Sequence, residues 1–581
     1  MVDRTAMPVR PTTAAGFSLL LSRWHWAVML IPLAFLIWAW LGSNGVPYFT
    51  DNNESFSAYV HARNMLWFDP LANAFLTDDS VAFHPGAHPF TYTHQGNLPR
   101  YLSAVMLLLG ITSIEWQILI AGVVSILLAV WFARHVGAHF GLTTAAVVFG
   151  LLMATDFLGN LQWYTNLFRT WHLPLFFGCL VCTRWRGAYS LAFVCFFLLW
   201  QMEFVFAVFT TVTALGILLL TVREPKTWPM AATICTAIGL SLLIFIAQLI
   251  LFLGWDGFLF DLRTTYLARN STVVQWEEIA HFYETRHIVM WPSFKDNNSG
   301  FGRFLYVSHT YGAMMYGKPL WVLGLLGTVL NGLIVTGAFL RPDWFTSIRV
   351  LAVLSEVNAR VGLLLWPMLA GLAFLAYGVS GYTMSGYIQR WGPMLGFPLS
   401  VALIGIVVNG AALIVLAWES LPTLVKPRIT VDRNRVAAVL ALPIVLLWIG
   451  NSIQGLASHP LFVHLPAQIL ATKYRNATFV SNTTYPHMVA HFTGNWSYYS
   501  PLLFGPNEKL DQTYNWNADR FVNLDYRRPQ YYLCQRLPYR QDVDCDKIAE
   551  QMAALGHKID ERGAGWSIVK LNMRSLENHP Q

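Results

Sequence analysis

The sequence predicts an α-helical polytopic membrane protein with about 11–13 transmembrane helices and a small C-terminal extracytoplasmic α/β domain. Of its 581 residues, 55% are hydrophobic and 12% are charged, whereas soluble domains carry about 25% charged residues. The mean hydropathy is +0.45. The net charge of +7 is spread over short loops without a tract of five basic residues, so it indicates membrane topology and no nucleic-acid partner.

The N-terminal region predicts the first membrane helix. Arg4, Arg10 and Arg23 precede an apolar run over 24–41. That run is too long for the core of a signal peptide and has no small-residue cleavage site. The basic flank is therefore expected in the cytoplasm, and the residues from Ser43 onward outside.

Apolar runs along the chain predict twelve helices. They cover residues 23–42, 99–112, 114–135, 142–158, 171–183, 187–202, 203–221, 230–253, 319–340, 360–378, 394–417 and 436–453. Basic turns are expected in the cytoplasm; they lie at Arg184/Arg186, Arg223/Lys226, Arg341/Arg349 and Lys426/Arg428/Arg433. These turns require an odd number of crossings, so the count between 99 and 186 stays open.

This topology divides the chain into a transmembrane domain, residues 1–454, and a tail domain, residues 455–581. Two polar segments of the first domain are predicted as outer loops. We name residues 43–98 the first polar segment and residues 255–318 the second polar segment.

A short amphipathic helix is expected within the first polar segment. The stretch SFSAYVHARNML places Phe56, Tyr59, Val60 and Met65 roughly on one face. Asp51 to Glu54 would lie at its N-terminus, where acidic residues often cap a helix and complement its dipole. From this stretch alone, capping and catalysis both remain open.

The second polar segment alternates aromatic and cationic residues. Arg263, Arg269 and Lys295 are interspersed with Tyr266, Trp276, Tyr283 and Trp291. The pattern fits an interfacial segment at the lipid headgroups. It also fits a site that holds an anionic headgroup or stacks on a sugar.

The tail domain is expected to alternate strands and helices. ATFVSN, YYLCQ and GWSIVKL have the composition of strands, and PHMVAHFTG and DKIAEQMAAL that of helices. If the tail is outside, Cys534 and Cys545 are expected to form a disulfide.

Three short motifs resemble the GT-C superfamily of membrane glycosyltransferases, which includes aminoarabinose transferases and protein O-mannosyltransferases. Glu54 precedes Tyr59 and Ala62-Arg63, and its distance from Arg63 is similar to that of the acidic residue in the family's motif. GNLP at 96–99 resembles the entry to the next helix, and YIQRW at 387–391 with Pro393 resembles a signature near the last helices. This chain has Asp-Asn-Asn-Glu where the family has Asp-Glu, so Asp51 and Glu54 compete for one role.

The resemblance implies transfer of a sugar from a polyprenyl-phosphate donor to a cell-envelope glycan, lipid or protein. Glu54 or Asp51 would be the general base. Cationic side chains would hold the phosphate of the donor. Arg390 is the leading candidate, followed by Arg269, Arg263 and Lys295. Membrane lipid is the other partner, and the bacterial inner membrane is the expected location, with the first polar segment and the tail outside.

Other polar residues are candidates for the acceptor or for loop structure: His84, His88, His94 and Asp156. No cofactor is certain, but Asp78, Asp79, His84 and His88 could hold a divalent metal such as Mg or Mn. The alternative function is a transporter or flippase of a lipid-linked precursor. Such proteins show inverted repeats and broken helices in both halves, which the sequence does not display.

Overall fold

The computed structural model describes the following residues, and all structural statements refer to them. They are 34, 53–67, 70–71, 74–76, 93, 97–121, 123–124, 187–202, 204–221, 225–270, 313, 316–378, 388–421, 433–458, 466–481, 486–495, 497–499, 530–536 and 543–572.

Four helices with complete bounds precede the long helices of the bundle, and described residues 114–121 are helical as well. The four are α1 (Asn53–Trp67), α2 (Leu98–Leu108), α3 (Ala188–Trp200) and α4 (Phe204–Leu220). Pro99 lies in the first turn of α2, where its missing N–H costs no helical hydrogen bond. The predicted helices 187–202 and 203–221 are confirmed as α3 and α4, joined by a turn at Gln201 and Met202.

Long helices follow: α5 (Thr227–Asn270), α6 (Lys318–Leu340), the short α7 (Pro342–Ser347), α8 (Arg349–Gly378), α9 (Ile388–Ser420) and α10 (Arg433–Ser458). Within the described residues, five helices are long and apolar enough to cross a membrane, since a span needs about 20 residues. They are α5, α6, α8, α9 and α10. The chain is therefore a mostly helical polytopic protein. The predicted helices 142–158 and 171–183 lie outside the described residues, and only residue 34 of the predicted helix 23–42 is described.

Two predicted boundaries are wrong. Helix α8 begins at Arg349, well before the predicted residue 360. Its first three turns include charged residues, among them an i,i+4 ion pair of Glu356 with Arg360 at 2.8 Å. Helix α5 runs on to Asn270, whereas a loop was predicted from residue 255. Gly254, with φ +73°, breaks the helical path, and the chain then resumes a helix.

Small residues allow the bundle helices to approach closely. Helix α6 places Gly324 and Gly327 against Leu399 and Ala402 of α9. Helix α8 places Gly371 against Phe209 of α4. Close backbone approach at small residues is the usual basis of helix association in lipid.

A buried asparagine network joins three of these helices. Asn331 of α6 donates through Nδ2 to Asn358 Oδ1 of α8 at 3.0 Å, and Asn358 Nδ2 donates to Asn409 Oδ1 of α9 at 2.8 Å. Trp366 Nε1 donates to Asn331 Oδ1 at 3.0 Å. Asn409 Nδ2 donates to the carbonyl of Gly405 at 2.8 Å. The network satisfies the amide groups internally, as an apolar surrounding requires.

The tail domain contains a five-stranded sheet with the order β2-β1-β3-β5-β4. Its elements are α11 (Ala467–Thr472), β1 (Phe479–Ser481), α12 (Pro486–Thr493), β2 (Ser497–Tyr499), β3 (Tyr531–Gln535), α13 (Cys545–Ala554), β4 (Lys558–Gly563) and β5 (Trp566–Lys570). Strand β1 pairs in parallel with β2 and β3, and β5 pairs antiparallel with β3 and β4. The predicted strands and helices are confirmed, whereas α11, β2 and β4 were not predicted.

The expected disulfide is present between Cys534 at the end of β3 and Cys545 at the start of α13, with Cα atoms 5.5 Å apart. Asp544 caps α13 by accepting from the backbone N–H groups of Asp546 and Lys547 at 3.1 and 3.2 Å. The disulfide therefore fastens the helix to the central strand of the sheet.

We expect Gly327→Ala to destabilise the bundle by about 1–3 kcal/mol, because overpacking displaces neighbouring backbone. A Cβ at this position would lie 2.6 Å from the carbonyl oxygen of Ala402. Thermal unfolding in detergent measures the effect. The matched control is Gly239→Ala in α5, where a Cβ meets nothing within 4 Å; equal unfolding temperatures for the two variants would contradict the packing argument.

Candidate active site

Helix α1 is buried on nearly all sides. Phe56, Ala58 and Val60 are at most 2% exposed, and so are the polar residues His61 and Asn64. The predicted helix is confirmed, but its amphipathic character is not, because its polar residues Ser57, His61 and Asn64 are covered by other parts of the chain. Phe56 and Tyr59 pack in one apolar cluster with Leu98, Ile114 and Met202.

Helix α1 starts at Asn53, so Glu54 is its second residue and lies two turns before His61. For Glu54 the structure describes the backbone only, and Asp51 lies outside the described residues. The role of either carboxylate therefore stays a prediction. What the structure adds is the surroundings of the helix that carries Glu54.

A chain of polar side chains crosses α1 at His61. Arg100 of α2 is buried and donates through Nε to His61 Nδ1 at 3.0 Å. His61 Nε2 lies 3.0 Å from Nε2 of His487 on α12. Arg100 also donates through Nη1 to Asn97 Oδ1 at 3.2 Å. Three segments far apart in sequence thus meet at one imidazole.

The hydrogen bond from Arg100 determines which nitrogen of His61 carries the proton. A guanidinium has only donors, so Nδ1 of His61 accepts and its proton lies on Nε2. That N–H faces Nε2 of His487, which accepts it. The direction of the Arg100 hydrogen bond therefore assigns a donor and an acceptor to the contact between the two imidazoles.

A second cluster covers the other side of α1. Tyr59 donates its hydroxyl to the carbonyl of Thr112 at 2.6 Å, and burial raises the pKa of Tyr59 while nearby Arg63 lowers it. His491 of α12 stands edge-on to the rings of Phe56 and Tyr59, with centroids 5.0 and 5.4 Å away. Burial, with a smaller effect of Arg63, lowers the pKa of His491 to about 4.

The two polar segments of the transmembrane domain touch each other. Thr93 donates to the buried carboxylate of Asp261 on α5 at 3.3 Å. Leu76 packs with Phe245 and Phe258 of the same helix. The first polar segment is therefore attached to the bundle near the point where α5 passes its break at Gly254.

The residues predicted to hold a donor phosphate are only partly described. Arg263 is exposed on α5. Arg269 is near the end of α5 and Arg390 is near the start of α9, but only their backbones are described; Lys295 lies outside the described residues. Their convergence on one phosphate remains a prediction.

The predicted acceptor and metal residues all lie outside the described residues: Asp78, Asp79, His84, His88, His94 and Asp156. Among the residues that the structure does describe, no group of three or more His, Cys, Asp or Glu side chains could hold a metal ion. The metal hypothesis rests on the sequence alone.

Sequence analysis missed four residues of this region: His61, Arg100, His487 and Asp261. A signal existed for Arg100, since an arginine directly after Pro99 in the first turn of an apolar helix calls for a partner when it is buried. Nothing in the sequence connected His487 with His61, which are 426 positions apart.

No family model matches the chain, and no curated protein matches it in sequence. Its structure is similar to the archaeal oligosaccharyltransferase AglB from Archaeoglobus fulgidus, solved with an inhibitory peptide and a dolichol-phosphate. The TM-score is 0.43 at 13% identity, over 88% of this chain and 69% of AglB.

It is also similar to ArnT from Cupriavidus metallidurans. For ArnT bound to undecaprenyl phosphate, the TM-score is 0.44 at 14% identity, over 96% of this chain and 100% of that one. For the apo state these values are 0.45 and 12%, over 96% and 99%. Similarity at this level is too distant to assign the chain an activity.

We expect His491→Phe to make the protein less sensitive to acid. In the unfolded chain a histidine binds a proton near pH 6.5, whereas folded His491 does so only near pH 4. The unfolded state thus binds more protons between these values, and stability falls by roughly 1.4 kcal/mol per unit as the pH drops through them.

Phenylalanine removes this titration and keeps the aromatic contacts with Phe56 and Tyr59. The measurement is the difference in unfolding temperature between pH 7.5 and pH 5, compared with the parent protein. An equally large difference in the variant would contradict the assignment of a neutral, buried imidazole.

Proposed function

We propose that this protein is a GT-C-type membrane glycosyltransferase. It would move one sugar from a polyprenyl-phosphate donor to a cell-envelope glycan, lipid or protein. The observation that carries the proposal is the setting of α1: the helix that begins with Asn53-Glu54 is buried among α2, α12 and the cluster of Ile114 and Met202. A surface loop would not require such support, whereas a reactive carboxylate needs a fixed position.

The chemistry assigns one role to each kind of side chain. The hydroxyl of the acceptor attacks the anomeric carbon, and the bond from that carbon to the phosphate oxygen breaks. Glu54, or Asp51 as its competitor, takes the hydroxyl proton as general base. Arg390, with Arg269, Arg263 and Lys295 as further candidates, would stabilise the charge that develops on the leaving phosphate.

A transporter or flippase is the weaker candidate. Transporters place functional polar groups near the middle of the membrane. The buried polar side chains Asn331, Asn358 and Asn409 satisfy one another and a backbone carbonyl. Their hydrogen bonds indicate a structural role in joining helices.

The contact between α1 and α12 supports a common side of the membrane for the first polar segment and the tail. His61 and His487 are in direct contact, which no membrane could separate. We propose that this side is the outside of a bacterial inner membrane, because basic residues precede α10 in the sequence and the tail follows its other end.

We expect Glu54→Gln to lower sugar transfer by about 10²–10⁴-fold, the usual contribution of a general base. Glutamine keeps the size of the side chain and most of its capacity to cap a helix, so a capping role alone would cost at most about 1 kcal/mol. The assay is release of free undecaprenyl phosphate from sugar-loaded undecaprenyl phosphate by purified protein with envelope extract as acceptor.

Asp51→Asn should weaken the same reaction less. Glu550→Gln is the matched control, since Glu550 is an exposed residue of α13 whose partner Arg562 is 3.6 Å away. Ordinary activity in Glu54→Gln would refute its role as base. An inactive Asp51→Asn beside an active Glu54→Gln would move the role to Asp51.

We expect an alkaline phosphatase reporter fused after Gln581 to be active, because that enzyme folds only outside the cytoplasm. A second fusion in the turn between α6 and α7, at Arg341, should be inactive. A cytoplasmic tail would overturn the topology together with the assignment of the first polar segment to the outside.

A further inference from the structure

Helix α12 of the tail domain lies directly on α1. The imidazoles of His61 and His487 are 0% and 3% exposed, and their ring centroids are 4.8 Å apart at an angle of 78°. Four positions further along α12, His491 contacts Phe56 and Tyr59 on the same helix α1. One face of a tail helix thus covers two turns of α1.

The hydrogen-bond direction makes this contact selective. Arg100 donates to Nδ1 of His61, so the imidazole proton of His61 lies on Nε2, which faces Nε2 of His487. The tail must therefore present an acceptor at this position. A leucine at 487 would leave a buried N–H without its partner, which costs far more than the loss of an ordinary exposed hydrogen bond.

We propose that His487 is a positioning residue of the transferase site: through His61 it holds the helix that carries Glu54, so that the tail domain is a working part of that site. The positioning of α1 follows from the contacts above. Its consequence for sugar transfer rests on the proposed function, since a base has to be held close to the geometry that its reaction requires.

The test compares His487→Leu with His487→Gln in the full-length protein. Glutamine offers a carbonyl oxygen to the His61 N–H, and leucine offers no acceptor. The control is His557→Leu, which removes another buried histidine of the tail, one that accepts from the backbone N–H of Asn572 at 3.0 Å. Hydrogen exchange of the amides over 56–64 reports on α1, and exchange over 531–535 and 566–570 reports whether the sheet is folded.

We expect exchange over 56–64 to become about tenfold faster or more in His487→Leu, with the sheet unchanged, and to stay near the parent rate in His487→Gln and His557→Leu. Unchanged exchange in His487→Leu, or equal loosening by leucine and glutamine, would overturn the proposal.

Release of undecaprenyl phosphate separates this proposal from the proposed function. A drop of about tenfold or more in His487→Leu, with recovery in His487→Gln, supports both. If the parent releases none while exchange over 56–64 responds as expected, the transferase function fails and the coupling of the tail to α1 holds. If His487→Leu loosens α1 but transfers sugar at the parent rate, the tail domain does not contribute to sugar transfer and the proposal is wrong.

Discussion

Arg100 places a positive charge in a nearly buried position, and the arrangement around α1 depends on the hydrogen bonds that this guanidinium donates. The residue is 7% exposed, and its guanidinium donates to His61 and to Asn97. A buried charge without partners costs several kcal/mol. The start of α2, the middle of α1 and one residue of the tail are consequently tied to one guanidinium. Moving any of the three segments would leave a donor or acceptor unsatisfied.

In the membrane bundle, neutral amide groups meet the same requirement that every buried polar group has a hydrogen-bond partner. Asn331, Asn358 and Asn409 lie on three helices that pack through glycines, and each amide finds its partners within the network. A polar group in lipid has no water to replace a lost partner. The network therefore favours one register among α6, α8 and α9, while the glycines determine how closely those helices approach.

Much of the fold follows from local patterns. Apolar runs predict α3, α4, α6 and α9 closely, and the β-branched and aromatic stretches of the tail predict β1, β3 and β5. The two strands that were missed are the edges of the sheet. Edge strands tolerate charge and short length, so β4, with the sequence KIDERG, lacks the alternation of a half-buried strand.

Less of the candidate site than of the fold could be predicted from the sequence. The sequence predicts the helix around Glu54 but not its burial, because the periodicity of SFSAYVHARNML describes one helix and says nothing about what covers its polar face. That cover comes from α12, more than 400 positions later. The acid at Asp261 was likewise overlooked, since residues beyond 255 resembled a loop and its partner Thr93 belongs to the other polar segment.

In the proposed mechanism one cavity holds both halves of the reaction: the Glu54 carboxylate of α1 activates the acceptor hydroxyl, and cations at the ends of α5 and α9 hold the phosphate of the donor. The most direct measurement is an experimental structure of the full-length protein in lipid nanodiscs with undecaprenyl phosphate. We expect the phosphate to be in hydrogen-bond contact with Arg390, with the Glu54 carboxylate facing the same cavity across the space of a sugar ring. A phosphate bound in a cavity that neither Glu54 nor Asp51 lines would contradict the claim.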